Sequence, residues 1–370
     1  MPIPLKLIAA NDTVGALVAL ADALAGKQAV FITAPEVNGK MPETHGLPDE
    51  VPDTVALIVE SSGSTGTPKR ITLGREALLA SAKAADAVLG GPGQWLLTLP
   101  INYVAGSNVL VRALVADQQP ILMNTQLPFT PDAFARAAHL MTGERRYVSL
   151  VPVQLQRLVT TAEFDEFMLA NLRRFDAILV GGQATDPNLV AKAKQLGLNL
   201  IRSYGSAETA GGCVYDGYPL PGVSVRIDAG GHVQIAGPTL AQGMADSEGW
   251  FTTNDLGHLD PDGRLTITGR SNRVIISGGL KVSLDAIEAA VLQIGGVVEA
   301  AAIPVTDAEW GERAAVIYTG SPEVADYIAA DALAQLGAAA KPVRVVRVDA
   351  IPRLTSGKTD YLSLAAQLDK

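Results

Sequence analysis

The sequence predicts an α/β protein: a large amino-terminal α/β domain with a mainly parallel sheet and a small β region, then a small α+β domain. Three observations carry this. Short apolar runs alternate with amphipathic helical patterns from about residue 55 to 203, the pattern of crossover units covered on both faces. From about 222 to 270 the texture changes to short β-like runs between turn formers. From 283 to 370 helix and strand patterns resume as a separate unit.

In chain order, the apolar run Val55-Ala-Leu-Ile-Val59 reads as a buried strand. Strands are expected at 95–99, 119–123, 147–151, 176–180 and 198–202, with helices such as 75–89, 131–141 and 187–196 between them. The segments Asp-Ala-Gly-Gly, Ala-Asp-Ser-Glu-Gly and Asp-Pro-Asp-Gly punctuate a small antiparallel region with tight turns. Beyond it come a helix at 283–294, strands at 297–303 and 313–319, a helix near 322–337 and a strand at 343–348. The boundary is placed at Gly269-Arg-Ser-Asn-Arg273, giving domains 1–270 and 271–370. No internal repeat is present, and the Ala-rich 328–340 stretch reads as helix.

Composition narrows the function. At 370 residues, two domains are the prior. With 48% hydrophobic and 18% charged residues the chain has ample core and is not disordered. A net charge of −9 argues against non-specific nucleic-acid binding. The single cysteine, Cys213, excludes an intrachain disulfide and a cysteine-based zinc site. The first residues lack a signal-peptide pattern, and no run approaches the roughly 18 apolar residues of a membrane span. A cytoplasmic protein is expected.

The stretch Ser61-Ser-Gly-Ser-Thr-Gly-Thr-Pro-Lys-Arg70 is the most informative. It follows a strand and combines glycines, hydroxyls and two cations. Backbone N–H groups can approach an anion there, hydroxyls add donors and a lysine adds charge. It is not the usual triphosphatase loop, because Pro68 and Lys69 follow Gly66-Thr67. Read alone, it could also be a Ser/Gly surface turn.

Four further motifs follow in order: Tyr204-Gly-Ser-Ala-Glu-Thr209, Gly249-Trp-Phe-Thr-Thr-Asn-Asp-Leu-Gly257, Gly269-Arg-Ser-Asn-Arg-Val-Ile-Ile-Ser-Gly-Gly279 and Pro352-Arg-Leu-Thr-Ser-Gly-Lys358. With Ser62 to Lys69 they resemble the adenylate-forming acyl-CoA synthetase family, which includes luciferase and peptide-synthetase adenylation domains. The resemblance runs from about residue 55 to the carboxyl end. It implies an acyl-CoA synthetase-like fold with a mobile small domain. It also implies a two-step reaction using ATP, Mg²⁺ and coenzyme A. A carboxylate attacks the α-phosphorus, pyrophosphate leaves, and the CoA thiol then displaces AMP. Carboxylate and triphosphate repel, so positioning and charge neutralisation carry the first step.

The resemblance also assigns residues. Ser62, Gly63, Ser64, Thr65, Gly66, Thr67 and Lys69 would wrap the β- and γ-phosphates. Glu208 would ligate Mg²⁺, a hard cation suited to carboxylate and phosphate oxygens. Tyr204, with Gly205 and Ser206, would pack on adenine, and Gly181-Gly182-Gln183 would form the opposite wall. Asp255 would hold the ribose hydroxyls and Arg270 the ribose and α-phosphate region. Lys358 would bridge ribose and the developing charge in the first step. Gly278 and Gly279 would face the pantetheine channel in the second, after rotation about Asn272, a residue type tolerant of backbone change.

Three departures from the family pattern stand out. Only 60 residues precede Ser61, so the front of the chain is cut down. Ala207 replaces a usual Thr or Ser, with Ser206 or Thr209 as compensating hydroxyls. In Leu99-Pro-Ile-Asn-Tyr-Val-Ala-Gly106, Tyr103 stands where His is usual, at the acyl pocket. The short architecture and the runs 179–187 and 204–213 resemble the actinobacterial o-succinylbenzoate–CoA ligases of menaquinone biosynthesis. That implies an aromatic keto-dicarboxylate partner, with Arg202 or Tyr103 meeting the non-reacting carboxylate. Other aryl- or acyl-CoA ligases, a non-catalytic adenylate sensor and a carrier-loading enzyme are the alternatives. A homo-oligomer is compatible with the sequence.

Overall fold

A computed structural model describes residues 1–61, 69–354 and 357–368. The chain divides into two compact units, Met1–Val225 with Ile235–Phe251, and Arg226–Gln234 with Thr252–Lys370.

The first unit opens on strand β1 (Pro2–Ala9), helix α1 (Thr13–Leu24) and strand β2 (Ala29–Thr33). Strands β3 (Glu50–Pro52), β4 (Val55–Ser61) and β5 (Lys69–Gly74) complete a sheet of order β3-β1-β2-β4-β5. β1, β2 and β4 run parallel, and β5 returns antiparallel to β4. The residues ahead of Ser61 therefore form a crossover unit in the sheet to which Ser61 and Lys69 belong.

The second sheet contains β6 (Gln94–Leu97), β7 (Ile121–Leu122), β8 (Arg146–Leu150), β9 (Ala177–Gly181), β10 (Leu200–Ser206), β11 (Gly211–Tyr215) and β12 (Tyr218–Pro219), in the order β12-β11-β10-β9-β8-β6-β7. From β7 to β10 every pairing is parallel; β11 and β12 are antiparallel additions. Helix α2 (Arg75–Leu89) has neighbours in both sheets, touching β4, β5 and β11, and helix α3 (Val104–Val115) packs on α1, α2, β6 and β11. α3 buries most of its residues, the polar Ser107, Asn108 and Arg112 included, so no solvent-facing stripe marks it as a helix.

Helices α4 (Pro131–His139), α5 (Pro152–Ala162), α6 (Glu166–Arg173) and α7 (Pro187–Gln195) bury one face in a core shared with Val148, Leu150, Ile178, Val180 and Leu200. Pro at the first turn and side-chain caps at Thr130 and Asp186 start α4 and α7 where the sequence predicts. The expected strand at 119–123 shrinks to the edge pair β7, because Pro120 lacks the N–H a ladder needs.

Strands β13 (Ser224–Ile227), β14 (His232–Ala236), β15 (Phe251–Leu259) and β16 (Leu265–Arg270) form a four-stranded sheet. The second unit continues with the hairpin β17 (Val274–Ser277) and β18 (Leu280–Ser283), α8 (Leu284–Val291), β19 (Val297–Asp307), β20 (Gly311–Gly320), α9 (Ala325–Leu336), β21 (Arg344–Arg347) and α10 (Tyr361–Leu368). Period-2 alternation separates two cores. Ala302, Ala314, Val316 and Tyr318 pack with Ile287, Val291 and Ile328 on one face; Ala301, Ile303, Ala315 and Ile317 pack with Ile351 and Leu364 on the other.

Candidate active site

The carboxyl ends of β9 and β10 bring predicted nucleotide residues together, as parallel sheets do with their ligands. Gly181 pairs with Ser203 in register, immediately before Tyr204. A Cβ on Gly181 would sit 2.6 Å from the Ser203 carbonyl oxygen, so only glycine fits there. Gly182 follows with φ +86°, a left-handed turn that carries the chain to Gln183. The strand β10 extends past the expected 202 to Ser206 because β11 supplies an antiparallel partner, with a bulge between Tyr204 and Gly205. A Cβ on Gly205 would fall 2.0 Å from the Gly211 carbonyl oxygen.

Glu208 lies on a single 3-10 turn, Ala207–Thr209, half-buried. Among the described residues its carboxylate has no hydrogen bond or ion pair. The turn is fixed from below. Ala210 adopts φ +50°, and its carbonyl accepts from Asn108 Nδ2 at 2.7 Å and Ser81 Oγ at 3.0 Å. The Thr209 hydroxyl accepts from Ser206 N–H (2.9 Å) and donates to Gly211 O (2.8 Å), fully buried. Thr209 therefore braces the turn; its hydroxyl is not turned toward a ligand. Burial pushes the Cys213 thiol up to about 11, so it stays protonated and is no nucleophile.

Lys69 starts β5 opposite Ser61, so the two ends of the 62–68 segment are paired in the β4–β5 ladder. Ser62, Gly63, Ser64, Thr65, Gly66 and Thr67 lie outside the described residues. Two adjacent residues tie the hairpin to the Glu208 turn: Ala241 N–H donates to Glu208 O at 2.8 Å and Gln242 N–H to Thr72 O at 2.9 Å. The β4–β5 hairpin and the Glu208 turn are thus held on one frame. Among the described residues no three His, Cys, Asp or Glu side chains gather as a metal cage. The single carboxylate on this turn would instead suit Mg²⁺, which would take its other ligands from phosphate and water.

Tyr103 is the residue before α3, in a turn where Gly106 N–H and Ser107 N–H donate to its carbonyl at 3.0 Å. It lies five residues, roughly 7.5 Å of helix, from Asn108 and so near the Glu208 turn. Arg202 is engaged elsewhere: its Nε donates to Asp216 at 3.2 Å at an exposed position.

The second unit holds the other candidates. Asp255 and Arg270 are cross-strand partners, with Arg270 Nε 2.9 Å from the carboxylate. Gly278 and Gly279, at φ +56° and +79°, make the two-residue β17–β18 turn. Trp310 lies against Gly278, where a Cβ would meet its ring at 2.6 Å. Lys358 is exposed in a turn closed by the Arg353–Thr359 bridge and by Arg353 donating to Gly357 O at 3.1 Å. An ion pair from Arg353 to Glu299 anchors that turn to β19.

Comparison with known proteins agrees with this geometry. The model of the AMP-binding enzyme family matches residues 6–243, and that of the AMP-binding enzyme C-terminal domain matches 286–358. The chain belongs to the AMP-binding enzyme family. The adenylate-forming resemblance is borne out, and the match begins at residue 6, well ahead of the first motif. A Mycobacterium tuberculosis protein named "Probable 2-succinylbenzoate--CoA ligase" is 36% identical over 374 residues, covering 97% of each chain. The o-succinylbenzoate CoA synthetase of Bacillus subtilis, solved with the acyl-adenylate intermediate OSB-AMP, aligns with TM-score 0.74 at 21% identity, over 96% of this chain and 81% of that one. An amide bond synthetase from Marinactinospora thermotolerans aligns with TM-score 0.75 at 24% identity, over 98% and 80%. At those identities they establish the fold, α/β and acyl-CoA synthetase-like as the sequence predicts.

Sequence reasoning missed the residues that brace the site. Asn108 and Ser81 are buried polar side chains inside helices, a signal that was readable only as an oddity. Ala241 and Gln242 act through backbone N–H groups, which leave no mark in sequence. The charged cluster around Arg273 and Glu288 was also missed. Charged residues at helical spacing read as a solvated face.

Proposed function

We propose that the chain is an ATP-dependent acid–CoA ligase. A carboxylate and ATP give an acyl-adenylate and pyrophosphate; the sulfur of CoA then displaces AMP to give the thioester. The acid assigned is o-succinylbenzoate, for menaquinone biosynthesis. The observation that carries this reading is the Mycobacterium tuberculosis relative of that named activity, whose match runs along 97% of both chains.

In this reading Lys69 and residues 62–67 neutralise the β- and γ-phosphates, and Glu208 holds Mg²⁺. When bound, Mg²⁺ offsets the charge on the phosphate oxygens that the attacking carboxylate must approach. Tyr204 and the Gly181-Gly182-Gln183 wall sandwich adenine; Asp255 accepts from the ribose hydroxyls and Arg270 donates to the α-phosphate region. Lys358 brings the last cation for adenylation. Residues 271–370 then turn about Asn272, presenting Gly278 and Gly279 to pantetheine. Tyr103 faces the acyl pocket, and Arg202 would have to exchange Asp216 for the non-reacting carboxylate. Among the described residues no helix is long and apolar enough to cross a membrane, which fits work in the cytoplasm.

The test supplies ATP, Mg²⁺ and a panel of aromatic and aliphatic acids, reading pyrophosphate release and then, with CoA, thioester. Release with o-succinylbenzoate and thioester from free CoA are expected. If a fatty acid reacts and o-succinylbenzoate is inert, the acid is wrong. Nucleotide bound with no release for any acid removes the ligase reading.

A further inference from the structure

A half-buried charged cluster lies beside the Lys358 turn, outside every group assigned above. Glu288, on α8, accepts from Ala302 N–H at 2.7 Å and from the Tyr361 hydroxyl at 3.1 Å. Arg273 pairs with Glu288, donates to Ala302 O at 3.1 Å and lies over the Tyr361 ring, 3.8 Å from its centroid. The cluster wraps the edge of β19, joining α8 on one face of the sheet to α10 on the other. Packing alone does not require it, since apolar residues hold such elements equally well.

Its place in the chain is the argument. Arg273 is the residue after the proposed pivot, Asn272. Tyr361 opens α10, three residues after Lys358, and the intervening chain is rigid. Thr359 bridges Arg353, Asp360 N–H donates to Pro352 O at 2.9 Å, and Asp360 caps α10 through Ser363. The angle between the segment leaving the pivot and the turn that carries Lys358 is therefore set through this cluster.

We propose that Glu288 and Tyr361 are positioning residues: the Tyr361 hydroxyl on Glu288, beneath the stacked Arg273, fixes the direction in which the Lys358 turn is delivered. The proposal rests on the reading of Lys358 as the lysine of adenylation. All three groups lie past Asn272, so the setting turns with the small domain and matters only when Lys358 is at the nucleotide.

Tyr361→Phe keeps the ring over Arg273 and removes only the bond to Glu288. Glu288→Asp keeps the charge and withdraws the acceptor. With the full chain, adenylation is read as o-succinylbenzoate-dependent pyrophosphate release, and thiolysis from supplied acyl-adenylate and CoA. For both variants adenylation kcat should fall about ten- to a hundredfold, the cost of displacing a catalytic group by about an ångström. KM for ATP and the thiolysis rate should stay near wild type. Equal loss in both half-reactions, or unchanged adenylation, overturns the proposal. Lys358→Ala run alongside separates the two ideas. If it leaves adenylation intact, the reading of Lys358 falls and takes this proposal with it; if it abolishes adenylation while Tyr361→Phe does not slow it, only the positioning role falls.

Discussion

Arg270 and Asp255 face each other across the β15–β16 ladder, with the guanidinium 2.9 Å from the carboxylate. Each therefore limits the rotamers of the other before any nucleotide arrives. Effects of removing them should not add. Asp255→Ala and Arg270→Ala should each raise KM for ATP by about tenfold or more, and the double variant should fall short of the product by about 0.5–3 kcal/mol of coupling. ATP-dependence of pyrophosphate release in all four proteins measures this; strict additivity would show that the pair does not act as a unit.

Asn108 braces the Glu208 turn at a distance. Its amide donates 2.7 Å to the Ala210 carbonyl in a fully enclosed place. Asn108→Ala should destabilise the first unit by about 0.5–1.5 kcal/mol, the net worth of one hydrogen bond, because Ser81 Oγ still serves the Ala210 carbonyl. It should also raise the Mg²⁺ concentration needed for activity, because the Glu208 carboxylate loses its fixed aim. Denaturant unfolding and a magnesium titration check the two halves separately.

Gly278→Ala tests the β17–β18 turn. The position has φ +56° and a Cβ there would reach the Trp310 ring at 2.6 Å. Strain of about 1–3 kcal/mol is expected, with thiolysis slowed more than adenylation. Gly279→Ala is the control: it has φ +79° but open space for a Cβ, so it isolates backbone strain from the clash. Similar losses in both half-reactions would argue against a place for this turn in the pantetheine step.

Glu288 gives a pH signature. Burial, with Asp285 adding like charge, outweighs Arg273 and pushes its carboxyl up to about 7 from the ordinary 4.5. The folded state thus binds this proton more tightly than the unfolded chain does. The resulting stability is complete below about pH 4.5 and is lost as pH rises through about 7. Melting temperatures of the native chain and of Glu288→Gln, compared from about pH 5 to 8, should draw apart across that window. Parallel curves would place the titration elsewhere.

Much of the architecture was legible. Helix 75–89 matches α2, and the alternation from 55 to 203 gave a parallel sheet, because each strand is bounded by turn formers and each surface helix shows a polar stripe. The front of the chain and α3 were not read. Pro2 and Pro4 obscure β1, and α3 buries its polar residues along with its apolar ones. The end of β10 was misplaced for a related reason. Tyr204-Gly205-Ser206 looks like a turn until β11 pairs with it.

The sequence alone determined the family and supplied the residues of the proposed nucleotide site, because phosphate, Mg²⁺ and ribose each demand a particular donor set in motifs that are local in the chain. Only the tertiary structure decided which groups are held and by what: Arg202 on Asp216, Thr209 on its own turn, Arg270 on Asp255, and Glu288 on Tyr361, 73 positions away. Such pairings depend on which elements pack side by side, and no local spacing encodes that.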